Sequence, residues 1–97
     1  MEHITVLLNE SIEGLAIKPN GIYVDATLGG GGHSELILKN LKDGHLYAFD
    51  QDPYAHKRAS ARLENYPNKT LIHSNFQNMK SELSKLGIHK VDGILFD

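Results

Sequence analysis

The sequence predicts an α/β protein built on a doubly wound parallel sheet. Its 97 residues are 40% hydrophobic and 23% charged, which is typical of one small globular domain and not of a disordered chain. Four short apolar segments alternate with amphipathic helical segments along most of this length. Because the connections between them are short, the strands are expected to run parallel, with right-handed helical crossovers.

The first predicted elements precede a run of four glycines. A short helix is expected after Asn9, a suitable N-cap, and its apolar residues have helical spacing: Ile12, Leu15 and Ile17. A Pro-Asn-Gly turn at 19–21 follows. The largely apolar residues 22–27 then form the first predicted strand, which ends at the glycines.

The next strand–helix unit begins directly after the glycines. Residues 33–41 read as a helix whose apolar positions share one face: Leu36, Ile37 and Leu41. Asp43-Gly44 ends this helix. The second predicted strand is His45–Phe49, and Asp50 follows it.

The third predicted helix has a clear start. Asp52 is expected to cap the free backbone amides, and Pro53 fits the first helical position, where no N–H group is needed. Its inner face is formed by small and apolar residues: Ala55, Ala59 and Leu63. This capping duty gives Asp52 a sufficient structural role.

The last strand–helix–strand unit reaches the C-terminus. Residues 70–73 are the third predicted strand, and Ser74 or Asn75 is expected to cap a helix with four apolar residues on one side: Phe76, Met79, Leu83 and Leu86. Gly87 is its expected C-terminal stop. Residues 91–96 are the fourth strand, directly before the chain ends. We therefore expect the N-terminal half of a larger α/β domain, with an unprotected sheet edge at which a homodimer could form.

Composition and charge exclude several classes of protein. No apolar run approaches the roughly 18–20 residues that span a membrane, and the N-terminus has Glu2 but no basic flank, so neither a membrane span nor a secretory signal is expected. The absence of cysteine excludes disulfides and thiolate zinc sites, and cytoplasm is the expected location. The net charge of −2 provides no overall basic field for nucleic acid.

The glycine run at 29–32 lies where a doubly wound sheet binds ligands, between a buried strand and a helix start. A bare run of glycines is often only a flexible loop, but this position favours a nucleotide-like ligand that approaches the backbone and the helix N-terminus. A dinucleotide fingerprint anchored on Gly29 and Gly31 would need Gly or Ala where Ser34 stands. The alternative is the spacing of the adenosylmethionine-dependent methyltransferases, an acidic residue followed by small residues, which Asp25, Thr27, Gly29 and Gly31 fit.

Three further residues are candidates for the same site. Asp50 ends the second strand about 20 residues past the glycines, where a carboxylate can accept both ribose hydroxyls. Phe76 could face an adenine ring or simply belong to the apolar face of its helix. His33 could donate to an anionic group or only shape the turn. The six histidines show no metal-ligand spacing, so no metal site is predicted.

Several blocks of sequence resemble one known family closely. H-I-T-V-L-L-N-E, Y-V-D-A-T-L-G-G-G-G-H-S, A-F-D-Q-D-P, H-S-N-F and D-G-I-L-F-D occur in this order from about His3 to Asp97. Together they resemble the MraW family of bacterial methyltransferases, which methylate the N4 amine of a cytidine in 16S rRNA of the small ribosomal subunit with S-adenosylmethionine. The resemblance implies a Rossmann-like class I methyltransferase fold, of which residues 1–97 would be the N-terminal half only.

The resemblance also implies site residues. The cofactor-binding positions of the family fall on Gly31, Gly32, His33, Asp50, Phe76 and Asp97. Asp97 would lie beside the cofactor and border the active site, whereas the catalytic residues are not identified. The inserted substrate-recognition domain and the C-terminal half of the family are absent, so this chain alone is expected to be inactive. The alternatives are a fragment of a nicotinamide-dinucleotide-binding oxidoreductase and a non-catalytic cofactor-binding or assembly module.

Overall fold

Five parallel strands form one sheet in the computed structural model, which describes residues 5–8, 17–26 and 31–96. In chain order the strands are β1 (Thr5–Leu8), β2 (Ile22–Asp25), β3 (His45–Phe49), β4 (Lys69–Ile72) and β5 (Gly93–Phe96). Their order across the sheet is β1-β5-β2-β3-β4, and every neighbouring pair is parallel. The predicted parallel sheet is confirmed.

Among the described residues, three α-helices connect the strands and cover both faces of the sheet. They are α1 (Gly32–Lys39), α2 (Pro53–Arg62) and α3 (Met79–Lys85), and a 3₁₀ turn at Phe76–Asn78 leads into α3. One apolar cluster joins α1 and the end of α2 to the sheet: Tyr23, Ile37, Leu38, Leu41, Leu46, Leu63 and Leu95. The other cluster packs the opposite face against α3: Val24, Tyr47, Phe49, Leu83, Val91 and Ile94. Successive strand residues alternate between the two clusters, as the pleat requires, so the sheet is doubly wound.

The N-terminal strand β1 was not predicted. Residues Thr5–Leu8 pair in register with Gly93–Phe96, so β5 has a neighbour on both sides. A four-residue apolar run has too little periodicity to be identified as a strand from its sequence. The edge strands of the described sheet are β1 and β4, and a homodimer through a sheet edge, which stays a prediction, would have to use one of them. The helix predicted after Asn9 lies outside the described residues, apart from Ile17.

The other element boundaries agree with the predictions to within a few residues. The Asp52 carboxylate accepts a hydrogen bond from the Tyr54 N–H at 3.0 Å with Pro53 in the first turn of α2, as expected. Asn75 and not Ser74 caps the 3₁₀ turn, because its side chain accepts from the Gln77 N–H at 2.6 Å.

The predicted inner position of Leu86 is wrong. Leu86 is 50% exposed, because α3 ends at Lys85 and Leu86 is its C-cap, where the backbone leaves the helix. Gly87 does end the helix, with φ of 78°. The N–H groups of Gly87 and Ile88 donate to the carbonyls of Ser84 and Leu83, which is the Schellman arrangement.

The turn before β2 and the turn before β3 meet at two glycines. The carbonyl of Gly21 accepts the His45 N–H at 3.0 Å, and Gly44 lies against the Gly21 backbone. A Cβ on Gly44 would overlap the Gly21 carbonyl oxygen and lie 2.9 Å from its nitrogen. Only glycine therefore lets these two turns approach at the amino ends of the strands, the end of the sheet opposite to the candidate site.

Candidate functional site

The carboxyl ends of the central strands form the candidate site. From β2 the chain proceeds to β3 and β4 on one side of the sheet, and then crosses to β5 on the other side. This reversal beside β2 is the topological switch point at which open α/β sheets bind ligands. Asp25, Asp50 and the segment at 74–76 all lie at this rim, just after or at the ends of β2, β3 and β4.

Asp50 is the central polar residue of the rim. It is only 8% exposed, and its backbone N–H donates to the Ile72 carbonyl at 3.1 Å, which fixes the end of β3 against β4. Its Oδ1 accepts the Asp52 N–H at 2.8 Å and so shapes the turn into α2. Within the described part of the chain, Oδ2 has no hydrogen-bond partner. A carboxylate oxygen that borders a concavity and has no protein partner is a candidate acceptor for a ligand.

Two adjacent concavities share Asp50. The smaller one is lined by residues of β2, α1, β3 and α2, including Asp25, Gly31, Ser34, Asp50, His56 and Ala59. The larger one has a volume of about 160 Å³ and is lined by Ala26, Phe49, Asp50, Gln51, Ser74, Asn75 and Phe76. The structure thus brings together three of the predicted residues, with Asp50 between Gly31 and Phe76.

Gly31 has two structural reasons to be glycine. It caps α1 with φ of 92°, in the left-handed region that disfavours any side chain. A Cβ there would also lie 3.3 Å from both Cα and Cβ of Ala59, so the glycine lets α2 pack against the start of α1. The sequence did not distinguish this packing role from direct contact with a ligand.

Gly32 and His33 follow in the first turn of α1. A Cβ on Gly32 would meet only the Arg62 guanidinium, at 3.7 Å, so neither strain nor crowding requires glycine there. His33 is partly buried. Neither residue lines the two concavities around Asp50. Their predicted role at the cofactor loop stays a prediction, and Asp97, Thr27, Gly29 and Gly30 lie outside the described residues.

Ser34 has a role that the sequence did not reveal. Its hydroxyl donates a hydrogen bond to Asp25 Oδ2, and both residues are buried, at 2% and 3% exposed. This bond ties the start of α1 to the end of β2. Ser34 is the residue that breaks the dinucleotide fingerprint, and the structure explains its presence as a partner of Asp25.

Phe76 lies between the apolar core and the larger concavity, and its predicted contact with an adenine ring stays a prediction. Its ring packs against the apolar cluster of α3 and also lines the larger concavity beside Asp50. The 3₁₀ turn positions it, because Asn75 caps that turn immediately after β4. Periodicity alone did not decide between a core residue and a ligand contact. In the structure, Phe76 packs against the core and also lines the cleft.

Two histidines near the rim were not predicted to belong to it. His56 lines the smaller concavity, and its ring centroid lies 5.6 Å from that of His73. His73 Nε2 is 3.1 Å from the carbonyl oxygen of Gln51, so it holds the segment that follows Asp50. No sequence spacing could have paired these residues, because α2 and β4 bring them together. No cluster of His, Asp or Glu suited to a metal ion occurs in the described part of the chain.

A polar contact joins α1 to α2 near Gly32. Arg62 Nε lies 3.1 Å from Glu35 Oε1, and the Tyr66 hydroxyl donates to Glu35 Oε2 at 3.3 Å. The hydrogen bond from Arg62 is the main cause that lowers the pKa of the Glu35 carboxyl. Burial, and then Glu35, raise the pKa of the Tyr66 phenol. Both directions are those expected of an ionised carboxylate that accepts hydrogen bonds from Arg62 and from a protonated phenol.

The helices described in this structure are all too short or too polar to cross a lipid bilayer. The fold itself is shared with solved methyltransferases. A candidate methyltransferase from Streptococcus mutans, solved in complex with SAH, matches with a TM-score of 0.72 and 25% sequence identity. That match covers 89% of this chain and 48% of the Streptococcus protein, and it identifies the sheet as Rossmann-like.

Relatives with curated names are much closer in sequence. The chain is 70% identical over 97 residues to ribosomal RNA small subunit methyltransferase H 1 of Acholeplasma laidlawii, covering 100% of this chain and 32% of that protein. It is 62% identical to ribosomal RNA small subunit methyltransferase H of Exiguobacterium sibiricum, covering 99% of this chain and 31% of that protein. The chain thus spans about a third of the length of these relatives. Residues 1–97 match the family model throughout, and the chain belongs to the MraW methylase family.

Proposed function

We propose that this chain is the S-adenosylmethionine-binding N-terminal part of an enzyme that methylates the N4 amine of a cytidine in 16S rRNA. Membership of the MraW methylase family and the names of the relatives support ribosomal RNA of the small subunit as the substrate class. The observation that carries the cofactor assignment is Asp50, a buried carboxylate with one unused oxygen between two concavities. Such an acceptor fits the hydroxyl groups of a ribose.

The proposed contacts follow from the positions of the rim residues. Asp50 Oδ2 would accept a ribose hydroxyl, and the Phe76 ring would lie against the adenine in the larger concavity. Gly31, Gly32 and His33 would form the cofactor loop at the start of α1, where free N–H groups and the helix dipole favour an anionic group such as the cofactor's carboxylate. Asp97 would lie beside the cofactor and border the active site.

The size of the cleft supports a divided site. The larger concavity measures about 160 Å³, less than the roughly 300–1,000 Å³ of ordinary small-molecule sites. The described residues would therefore hold the adenosine portion only. We assign the remaining contacts to residues 27–30, to Asp97 and to segments that follow this chain in its longer relatives.

The cofactor, when bound, supplies a methyl group on a positively charged sulfur that is already a good leaving group. The chemistry it would supply is transfer of that methyl group to the cytosine amine nitrogen, with S-adenosylhomocysteine as the leaving group and the amine proton released to water. Alignment of the reacting atoms can contribute about 7–11 kcal/mol, and holding the adenosine is the part of that task that the residues of this rim can perform. The target base must leave its stack to reach the cofactor.

We also propose a division of labour within the longer protein. Residues 1–97 would bind the cofactor, whereas an inserted substrate-recognition domain and a C-terminal half would complete the active site. The chain on its own would then bind the cofactor without transferring the methyl group. A substrate in the small ribosomal subunit implies action in the cytoplasm.

Calorimetric titration of the 97-residue chain tests the cofactor assignment. We expect S-adenosylmethionine and S-adenosylhomocysteine to bind and NAD to give no heat of binding. Binding of NAD without a response to either sulfur compound would overturn the proposal in favour of an oxidoreductase fragment.

Methyl transfer tests the substrate and the division of labour. Small ribosomal subunits are incubated with labelled S-adenosylmethionine and either this chain or a full-length protein that begins with it. Label at a cytidine N4 of 16S rRNA is expected only with the longer protein. Label at another atom, or transfer by the 97-residue chain alone, would contradict the corresponding part of the proposal.

A further inference from the structure

The outward side of α2 forms a cationic face next to the proposed cofactor site. Tyr54, Lys57, Arg58 and Arg62 are exposed, whereas Ala55 and Ala59 turn inward against the rest of the fold. Positions i, i+3, i+4 and i+8 of a helix lie on one side, so these four side chains form a continuous strip. We call this strip the cationic face of α2.

The charge of this face opposes that of the chain. The protein carries a net charge of −2, but α2 contains three cations and no carboxylate. Arg62 pairs with Glu35 at 3.1 Å, whereas Lys57 and Arg58 form no ion pair within the described residues. Two unpaired cations in the middle of a helix with no acidic neighbour in its own sequence suit a polyanionic partner.

Tyr54 adds an aromatic group at the rim end of the face. It is 77% exposed, more than the other exposed large hydrophobic residues of the described chain, Leu36 at 38% and Leu86 at 50%. Its backbone is fixed by the hydrogen bond to the Asp52 cap. An immobilised backbone with an exposed aromatic ring next to cations is the combination with which proteins hold unpaired bases.

The position of the face connects it to the chemistry. α2 begins three residues after Asp50, so Tyr54 lies at the same rim as the cofactor concavities. From Tyr54 to Arg62 the helix extends about 12 Å at ~1.5 Å per residue. At the ~3.4 Å rise per nucleotide of a stacked strand, this length corresponds to at most about three to four nucleotides.

We propose that the cationic face of α2 binds an unpaired segment of the RNA substrate next to the target base. Lys57 and Arg58 contact phosphates, and Tyr54 stacks on a base, so the strand runs along α2 and reaches the rim beside Asp50. This inference rests on the proposed RNA methylation, but it assigns the RNA a surface on the cofactor-binding part of the protein.

The test measures binding of a fluorescently labelled, unstructured ten-nucleotide RNA to the 97-residue chain by anisotropy over a series of salt concentrations. The double variant Lys57→Ala/Arg58→Ala should weaken binding at low salt and reduce the slope of log K against log salt by about 1.4, since each phosphate contact of a single strand contributes ~0.7. Tyr54→Ala should weaken binding by about 5- to 150-fold, and Tyr54→Phe should restore most of the loss, because stacking needs the ring and not the hydroxyl.

A matched control removes the same charge elsewhere. Lys39 and Lys42 are exposed near the end of α1, away from the rim, so Lys39→Ala/Lys42→Ala should change RNA binding less than two-fold. Equal losses in the two double variants, or equal competition by polyglutamate and RNA, would overturn the proposal, since either would show attraction to charge alone. Absence of RNA binding by the unmodified chain at low salt would overturn it as well.

Titration of every variant with S-adenosylhomocysteine separates this inference from the proposed function. Unchanged cofactor affinity shows that the variants are folded and that the RNA effects belong to the cationic face. If the unmodified chain binds RNA as expected but neither sulfur compound, the proposed function fails while the surface stands. If it binds the cofactor but not the RNA, the surface fails and the cofactor assignment stands.

Discussion

Replacement of Asp50 by asparagine is the sharpest test of the cofactor site, because the two carboxylate oxygens have different tasks. Oδ1 accepts the Asp52 N–H at 2.8 Å, and an asparagine carbonyl can accept the same bond. Oδ2, which has no partner among the described residues, becomes an NH₂ group that donates and cannot accept a ribose hydroxyl. Asp50→Asn therefore keeps the turn and removes only the proposed ligand contact.

The expected loss follows from the kind of hydrogen bond. A bond to a charged acceptor contributes about 1.5–3 kcal/mol, so the Kd for S-adenosylhomocysteine should rise by about 12- to 160-fold in calorimetric titration. The free energy of unfolding should change by less than ~1 kcal/mol, because the turn keeps its bond. Asp50→Ala would be less informative, since it also leaves the Asp52 N–H without its acceptor.

Asp52→Asn is the matched control. It removes the same charge two residues away, and asparagine caps a helix about as well as aspartate. We expect its affinity for S-adenosylhomocysteine to stay within about two- to three-fold of the unmodified chain, since the lost charge is exposed and screened. An unchanged Kd in Asp50→Asn, or an equal rise in both variants, would refute the assignment of Asp50 as the ribose ligand.

Three further predictions concern the cleft and the stability of the fold. Phe76→Leu should weaken binding of S-adenosylhomocysteine by about 0.5–1.5 kcal/mol in calorimetry, because it removes the flat ring while an apolar side chain still fills the core. Unchanged affinity would show that Phe76 is a core residue only. In urea unfolding, Gly44→Ala should lower the free energy of unfolding by about 1–3 kcal/mol or more, because the new Cβ overlaps the Gly21 backbone. Gly87→Ala should lower it by only about 1–2 kcal/mol, because Gly87 has φ of 78° but open space around it. A reversed order would contradict the packing described between the two turns. Burial, and then Lys69, lower the pKa of His45 in the fold, so the unfolded chain binds this proton more readily. The contribution of His45 to stability should therefore be complete above about pH 6.5 and fall as the pH decreases below it. His45→Gln should flatten that fall in a pH series of urea titrations, and an unchanged slope would contradict the assignment.

The sequence predicted the architecture well wherever local chemistry decides the structure. Asp52 and Pro53 identified the start of α2, and the strand before Asp50 was correct at both ends, because caps, proline and apolar runs act within a few residues. β1 was missed for the opposite reason. Its four residues become a strand only through pairing with β5, which lies about ninety positions later in the chain.

The site was predictable in part for similar reasons. Asp50 stood out because a strand end and its distance from the glycines are visible in the sequence. The contact between His56 and His73 was invisible, since only the packing of α2 beside β4 creates it. Family resemblance suggested a ligand role for Phe76, but the shared duty of this ring in core and cleft required coordinates.

Gly31 has a consequence for how glycine variants of this loop should be interpreted. Because its φ of 92° and the neighbouring Ala59 both disfavour an L-side chain, a genetically encoded replacement strains the backbone as well as changing any contact with a ligand. D-alanine favours positive φ, and its methyl group replaces the other α-hydrogen, so it points in a different direction from the Cβ that would meet Ala59. A chain of 97 residues is within reach of chemical ligation. Handedness at this single α-carbon can thus separate what the glycine does for the fold from what it does for a bound molecule.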